Sequence, residues 1–220
     1  MNSNLFFDIS SIFSAIPFFY GIYLLWKFVD KETNERQIIK NIFTGMIIGL
    51  ISGLFFVFLS YGVYSFLDLS LMLVIIFPIY LEMVKFILYQ RKKYWGKRET
   101  VLYGYGLGIG IGATFSLSML YYYFVMHQNV SIIDYLGLLL FTFSMVFINI
   151  TTTLYISYGI CKKKRKMLEN SMVIMILYFV TLLPFIWGFD IFYVSWNIVY
   201  VYPFYHISVK KMEECKNEKN

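Results

Sequence analysis

Charge is scarce in this chain. Only 15% of its 220 residues are Asp, Glu, Lys or Arg, while 59% are hydrophobic. No polar stretch is long enough to enclose a soluble core, which excludes a separate soluble domain. Residues 1–220 therefore read as a single integral membrane domain, with 208–220 as a short charged cytoplasmic tail. Histidine is scarcer still. His127 and His206 are the only two, and both fall at the ends of apolar runs. Ser116, Ser118 and Ser157 lie within apolar runs with no histidine at a comparable depth, so a Ser/His mechanism is not supported. The two cysteines, Cys161 and Cys215, sit beside basic loop residues. They cannot form a disulfide framework, and neither has metal-ligand spacing; Cys161 is a candidate for palmitoylation. The first apolar stretch lacks a basic leader and a small-residue cleavage site, so it is expected to remain as a span.

What the chain has in quantity is apolar length. Runs near or above 18 residues predict an all-α, polytopic transmembrane helical bundle in the cell membrane. Seven spans fit, at about 5–27, 41–66, 69–89, 101–126, 132–160, 171–187 and 190–207. The last two are short and share a tight turn, so a re-entrant hairpin is the alternative.

The formal charge of +6 would suggest nucleic acid for a soluble protein. Its distribution points to membrane orientation instead. Lys27, Lys31, Arg36 and Lys40 flank the first connection; Arg91, Lys92, Lys93, Lys97 and Arg98 fill the third. Lys162, Lys163, Lys164, Arg165 and Lys166 fill the fifth, and Lys210, Lys211, Lys216 and Lys219 lie in the tail. These groups hold 18 of the 19 Lys and Arg. The second, fourth and sixth connections and the N-terminus carry Asp8, Asp68, His127, Asp134 and Asp190 instead. By the positive-inside rule the N-terminus lies outside and the C-terminus in the cytoplasm. The same loops are candidates for contact with anionic lipid headgroups, although orientation alone would also produce them.

Lys85 is the one remaining cation, and it follows Glu82 in Pro78-Ile-Tyr-Leu-Glu-Met-Val-Lys85. Glu82 would lie near the middle of a hydrocarbon layer about 30 Å thick. An acid there costs roughly 2.5–3.5 kcal/mol on insertion scales, so it needs a partner or a function. Lys85 shares its helical face and is able to supply the partner. A structural ion pair and a functional acid stand equally open.

Small residues mark two spans. Gly45, Gly49 and Gly53 recur along the second. In the fourth, Gly104, Gly108 and Gly112 share one face, and Gly106 and Gly110 another. Such spacing lets helix backbones approach in a bilayer. No strand flanks these glycines, so neither a phosphate loop nor a dinucleotide fingerprint is read here. The 20 Tyr, 23 Phe and four Trp, as in Tyr121–Phe124 and Tyr200–Tyr205, are expected to form interfacial belts.

The order of landmarks resembles the PrsW family of intramembrane proteases, which is distantly similar to the CAAX-protease superfamily. The likeness begins at Asp30-Lys-Glu-Thr-Asn-Glu35 and Ile42-Phe-Thr-Gly45. It continues through Pro78–Lys85, Leu102-Tyr-Gly104 and Gly108-Ile-Gly110, and ends at Trp187-Gly188 and Asp190. By this resemblance Glu82, Lys85 and Asp190 are the candidate catalytic residues. The family's paired glutamates fall at Leu81 and Glu82, its next glutamate at Phe115, and its histidines near Asn149 (or Thr151 on a shifted alignment) and at Trp187. Arg36 replaces the loop proline.

Activated water in a membrane usually needs a metal with three protein ligands or a carboxylate pair. Leu81, Phe115 and Trp187 offer no donor. The resemblance therefore implies a degenerate, non-catalytic member without a cofactor, binding a transmembrane segment or a lipid-like group. Its expected partners are the bilayer and a single-span membrane protein, not nucleic acid. One alternative is an active atypical protease using Glu82 with Asp190 or Asn149, for which zinc would be the cofactor. Another is a small transporter or channel switched by Glu82 and Lys85.

Overall fold

The computed structural model describes residues 3–30, 33–63, 67–126, 131–183 and 197–217, with the backbone alone described at 3–6, 61–63, 67–72 and 216–217. Regular structure among these residues is helical throughout. Seven α-helices follow in order: α1 Ser3–Trp26, α2 Glu35–Val63, α3 Leu67–Tyr89, α4 Glu99–Met126, α5 Ile132–Cys161, α6 Lys166–Val180 and α7 Asn197–Asn217. A 3-10 turn, Lys92–Tyr94, links α3 to α4. Four stretches are long and apolar enough to cross a membrane: Phe7–Trp26, Glu35–Ser60, Glu99–Met126 and Ile132–Cys161. The junction holding Trp187 and Asp190 lies outside the described residues, as does His127.

Helix ends have local causes. Asn34 Oδ1 accepts the Gln37 N–H at 3.1 Å, an N-cap that starts α2 well before its apolar run. At the start of α5, Ser131 N–H donates to Asp134 Oδ2 at 2.7 Å, and Asp134 N–H donates to Ser131 Oγ at 3.3 Å. That reciprocal pair is a capping box. α5 ends where Lys164 N–H donates to Gly159 O at 2.7 Å and Lys163 N–H donates to Ile160 O at 3.4 Å. This is the Schellman pattern, which needs one left-handed residue. That residue is Lys163, φ 56°, where glycine would save about 1–2 kcal/mol.

The glycine-rich α4 is the central helix. Of its apolar stretch 78% is buried, against 28% in α1 and 33% in α2. It packs on α1, α2 and α5, while α6 lies against α3 and α5, and α7 against α5. The two glycine faces serve two neighbours. A Cβ at Gly108 would sit 2.5 Å from the Ile150 Cα, and one at Gly112 2.5 Å from the Val146 Cα, both on α5. Gly110 faces the α2 backbone at Ile42 and Met46, and Gly45 of α2 faces Leu107 in return. Only a hydrogen fits at these crossings.

Burial of most of α4 corrects the expectation of a belt at its end. Tyr122, Tyr123 and Phe124 are buried, and Tyr121 alone of that run is exposed, with Val125 and Met126 beyond it. Rings at a span end turn inward where the helix face that carries them meets neighbours. Along α7 the aromatics divide: Tyr202 faces outward, whereas Tyr205 Oη lies 2.7 Å from Tyr105 Oη of α4.

The basic groups gather at one end of the bundle. Gln37 Nε2 donates to Tyr94 Oη at 3.1 Å, Gly96 N–H donates to Ile160 O at 3.4 Å, and Tyr158 Oη donates to Glu214 at 3.4 Å. Residues 208–217 continue α7 as helix, with Met212 and Cys215 buried. Cys215 is disulfide-bonded to Cys161. Sequence spacing did not anticipate this pairing, because 54 residues, including all of α6, separate the cysteines. Docking of α7 along α5 brings them together, and Cys161 has no thiol for acylation while the bond is in place.

Candidate functional site

Glu82 and Lys85 lie one turn apart in the second half of α3, after Pro78. Both side chains are fully buried. Lys85 Nζ donates to Glu82 Oε1 at 2.6 Å and to Thr152 Oγ1 of α5 at 2.8 Å. Ser171 Oγ, in the first half of α6, donates to Glu82 Oε2 at 2.8 Å. The pair therefore fastens α3 to two other helices. Thr152 passes the chain on, donating to Asn149 O at 3.4 Å. In a low-dielectric interior such a pair is tolerable because each charged head also has a neutral partner.

Among the described residues, the resemblance-derived positions do not gather into one polar cavity. Leu81 is completely buried. Phe115 sits where the family's next glutamate falls, and its ring meets Phe56 of α2, Phe77 of α3 and Phe179 of α6. All six centroid separations among these four rings are 4.9–6.0 Å. Phe77 is five residues before Glu82, about 7.5 Å along the helix. A plug of aromatic rings thus fills the core beside the ion pair. Asn149 is buried on α5 and donates from Nδ2 to Met145 O at 2.9 Å; its Oδ1 has no partner. Asp190, the third candidate, lies outside the described residues.

The donor set at Glu82 does not fit a metal. One carboxylate is present, both of its oxygens accept hydrogen bonds, and an ammonium stands 2.6 Å away. A cation placed there would meet like charge at contact distance. Among the described residues no three His, Cys, Asp or Glu side chains cluster as ligands. The intramembrane serines serve their own helices: Ser116 donates to Ala113 O, Ser118 to Thr114 O and Ser157 to Leu154 O. His206 pairs with Tyr202 Oη at 3.0 Å on an exposed surface.

Sequence reasoning located the pair and missed Thr152 and Ser171. The signal available for Thr152 was the run Thr151-Thr152-Thr153 inside an apolar span, where hydroxyls often bond across helices. Nothing marked Ser171 beyond its place at the start of an apolar run. Comparison with protein-family models, with curated proteins and with solved structures found no match.

Proposed function

We propose that the chain is a multi-pass membrane protein of about seven spans, with its N-terminus outside and its C-terminus in the cytoplasm. On this reading its PrsW-like scaffold binds a transmembrane segment or a lipid-like group without cutting it. Insertion is supported by the outward faces of α1 and α2, where Phe19, Phe43, Ile47 and Phe58 are 61–74% exposed. Side chains of that kind suit hydrocarbon and are costly in water. The non-catalytic reading rests on one observation, the pairing and full burial of Glu82. A general base must lie within reach of water, and Glu82 is fully buried, with Lys85 on one oxygen and Ser171 on the other, in a core packed with phenylalanines.

Two experiments test this. Purified protein in nanodiscs is incubated with single-span substrates carrying photo-crosslinkers. Crosslinking without cleavage is expected; cleavage lost in Glu82→Gln would establish the protease reading, and ion flux lost in Glu82→Gln the transporter. Topology is read from cysteines introduced near Asp68, His127 and Asp190. They should label from outside, whereas Cys161 and Cys215 should not. The native pair is reduced first, since a disulfide hides both thiols; cytoplasmic thiols are in any case normally kept reduced. External labelling of the reduced native pair would invert the orientation.

A further inference from the structure

Helices α1 and α2 both pack on α4 but hardly touch each other. Near the basic end α1 lies against α4, where a Cβ on Gly21 would meet Ile109 Cγ1 at 3.2 Å. Toward the other end α1 is tied to α5 instead. Thr142 Oγ1 donates to Phe13 O at 3.3 Å, and the Phe13 and Tyr135 rings stack at 5.9 Å. α2 stays on α4, with a Cβ on Gly53 only 2.8 Å from Ser118 Cβ. The two helices therefore part in the half of the bundle away from the basic loops, and a cavity of about 400 Å³ opens between them. Leu50, Leu54 and Val57 line it from one face of α2, Leu117, Tyr121 and Val125 from one face of α4, and Phe7 from α1. Ser118, at the contact with Gly53, forms part of the floor, and its Oγ is bonded to Thr114 O.

We propose that this cavity holds one acyl chain of a zwitterionic phospholipid from the leaflet away from the basic loops. The inference deepens the lipid-binding arm of the proposed function and rests on it. Size separates a lipid chain from a transmembrane segment. A single turn of a helix about 10–12 Å across already fills on the order of 400 Å³, so a spanning helix does not fit inside. On the order of a dozen methylenes do, taking each at about the 30 Å³ share of a liquid water. Surroundings point the same way. Leu50 and Leu54 are 42% and 57% exposed, so in an inserted chain the cavity opens sideways on hydrocarbon. Water does not fill an apolar space, and an empty one forfeits dispersion contacts along its walls. From Leu117 to Val125 the lining runs about 12 Å along the helix axis, the direction in which lipid chains lie. Half-exposed Tyr121 puts a phenol where the headgroup level begins. Charge selects the headgroup. No Lys or Arg occurs at 1–26, 41–84 or 99–161, whereas Asp8, next to Phe7, is exposed. An anionic headgroup finds no cation here, and a choline or ethanolamine finds an acid.

The full chain is reconstituted in vesicles of equal phosphatidylcholine and phosphatidylglycerol, extracted in mild detergent and weighed by native mass spectrometry. A single phosphatidylcholine retained per chain is expected; preferential retention of phosphatidylglycerol would overturn the proposal. Val57→Trp and Leu117→Trp each put a ring into the cavity and should lose the bound lipid. Ile47→Trp adds the same ring to the outward face of α2 and should keep it. Loss in all three, or in none, would overturn the cavity as the site. Should neither filled variant fold, the parent chain decides. Phosphatidylcholine with a diazirine on its acyl chain should crosslink at 50–57 and 117–125 in preference to the exposed Phe43 and Ile47. Even labelling of all these positions would mean bulk solvation and overturn the proposal. A single-span peptide crosslinked at those segments, with no lipid retained, would overturn the lipid and leave the binding reading standing. Release of the chain from the vesicles by alkaline extraction would instead overturn insertion, and both readings with it.

Discussion

The two sides of the bundle are held in opposite ways. On the α2–α4–α5 side, glycines bring backbones into contact, and Thr114 Oγ1 of α4 donates across the seam to Met46 O of α2 at 2.8 Å. On the α3–α5–α6 side, a lysine, a glutamate, a threonine and a serine make the crossing, with four phenylalanine rings packed beside them. In a bilayer, apolar burial does not by itself draw helices together, because lipid tails are as apolar as leucine. Close packing and internal hydrogen bonds are what remain. Backbone contact dominates one side and the buried ion pair the other, so the two sides should fail differently when altered.

The largest effect is expected at the ion pair. Lys85→Met strands Glu82 in the core and should cost about 3–5 kcal/mol, read as a lowered unfolding midpoint in detergent. Adding Glu82→Gln should recover much of the loss. A strictly additive double variant would show that the side chains are not coupled and that the two sides of the bundle do not differ as described.

Next comes the glycine seam. Gly108→Ala pushes a methyl into the Ile150 backbone and should cost about 3 kcal/mol, the upper end for overpacking. Gly21→Ala is the control. Its Cβ would meet the Ile109 side chain at 3.2 Å, which is able to turn aside, and the gain in helix propensity of about 1 kcal/mol offsets the crowding. Equal losses at the two positions would contradict backbone contact as the basis of the seam.

Ser171→Ala removes one hydrogen bond from a buried carboxylate and should cost about 2 kcal/mol. The loss should vanish in a Glu82→Leu, Lys85→Met background, where position 82 has no acceptor, and a double-mutant cycle measures it. If it persists there, Ser171 supports α6 by packing alone. The smallest effect is a gain: Lys163→Gly relieves the left-handed lysine and should stabilise by about 1 kcal/mol. No gain would mean that the Lys163 stem contributes packing that offsets its strain.

The seam is legible in the sequence because it depends on spacing within a single helix. Gly104, Gly108 and Gly112 must share a face at 3.6 residues per turn, and only the identity of the neighbour is missing. The Glu82–Lys85 contact is legible for the same reason, at a separation of three residues. Thr152 and Ser171 are not, since their reach to α3 depends on how α5 and α6 are placed against it. The Tyr122–Phe124 rings do not form the expected belt because a sequence shows that a helix is apolar, not how many neighbours surround it.

The sequence by itself determined the features that local geometry and solvent impose. Apolar length dictates helices, periodicity dictates their faces, and alternate basic connections imply that the ends sort by side. Tertiary structure decided which faces meet: α5 against Gly108, Ser171 against Glu82, Cys215 against Cys161, and three further rings against Phe115. The physical reason is range. Helix propensity and transfer to hydrocarbon are set within a few residues, whereas partner choice depends on the shapes and hydrogen-bonding needs of segments that share no local signal.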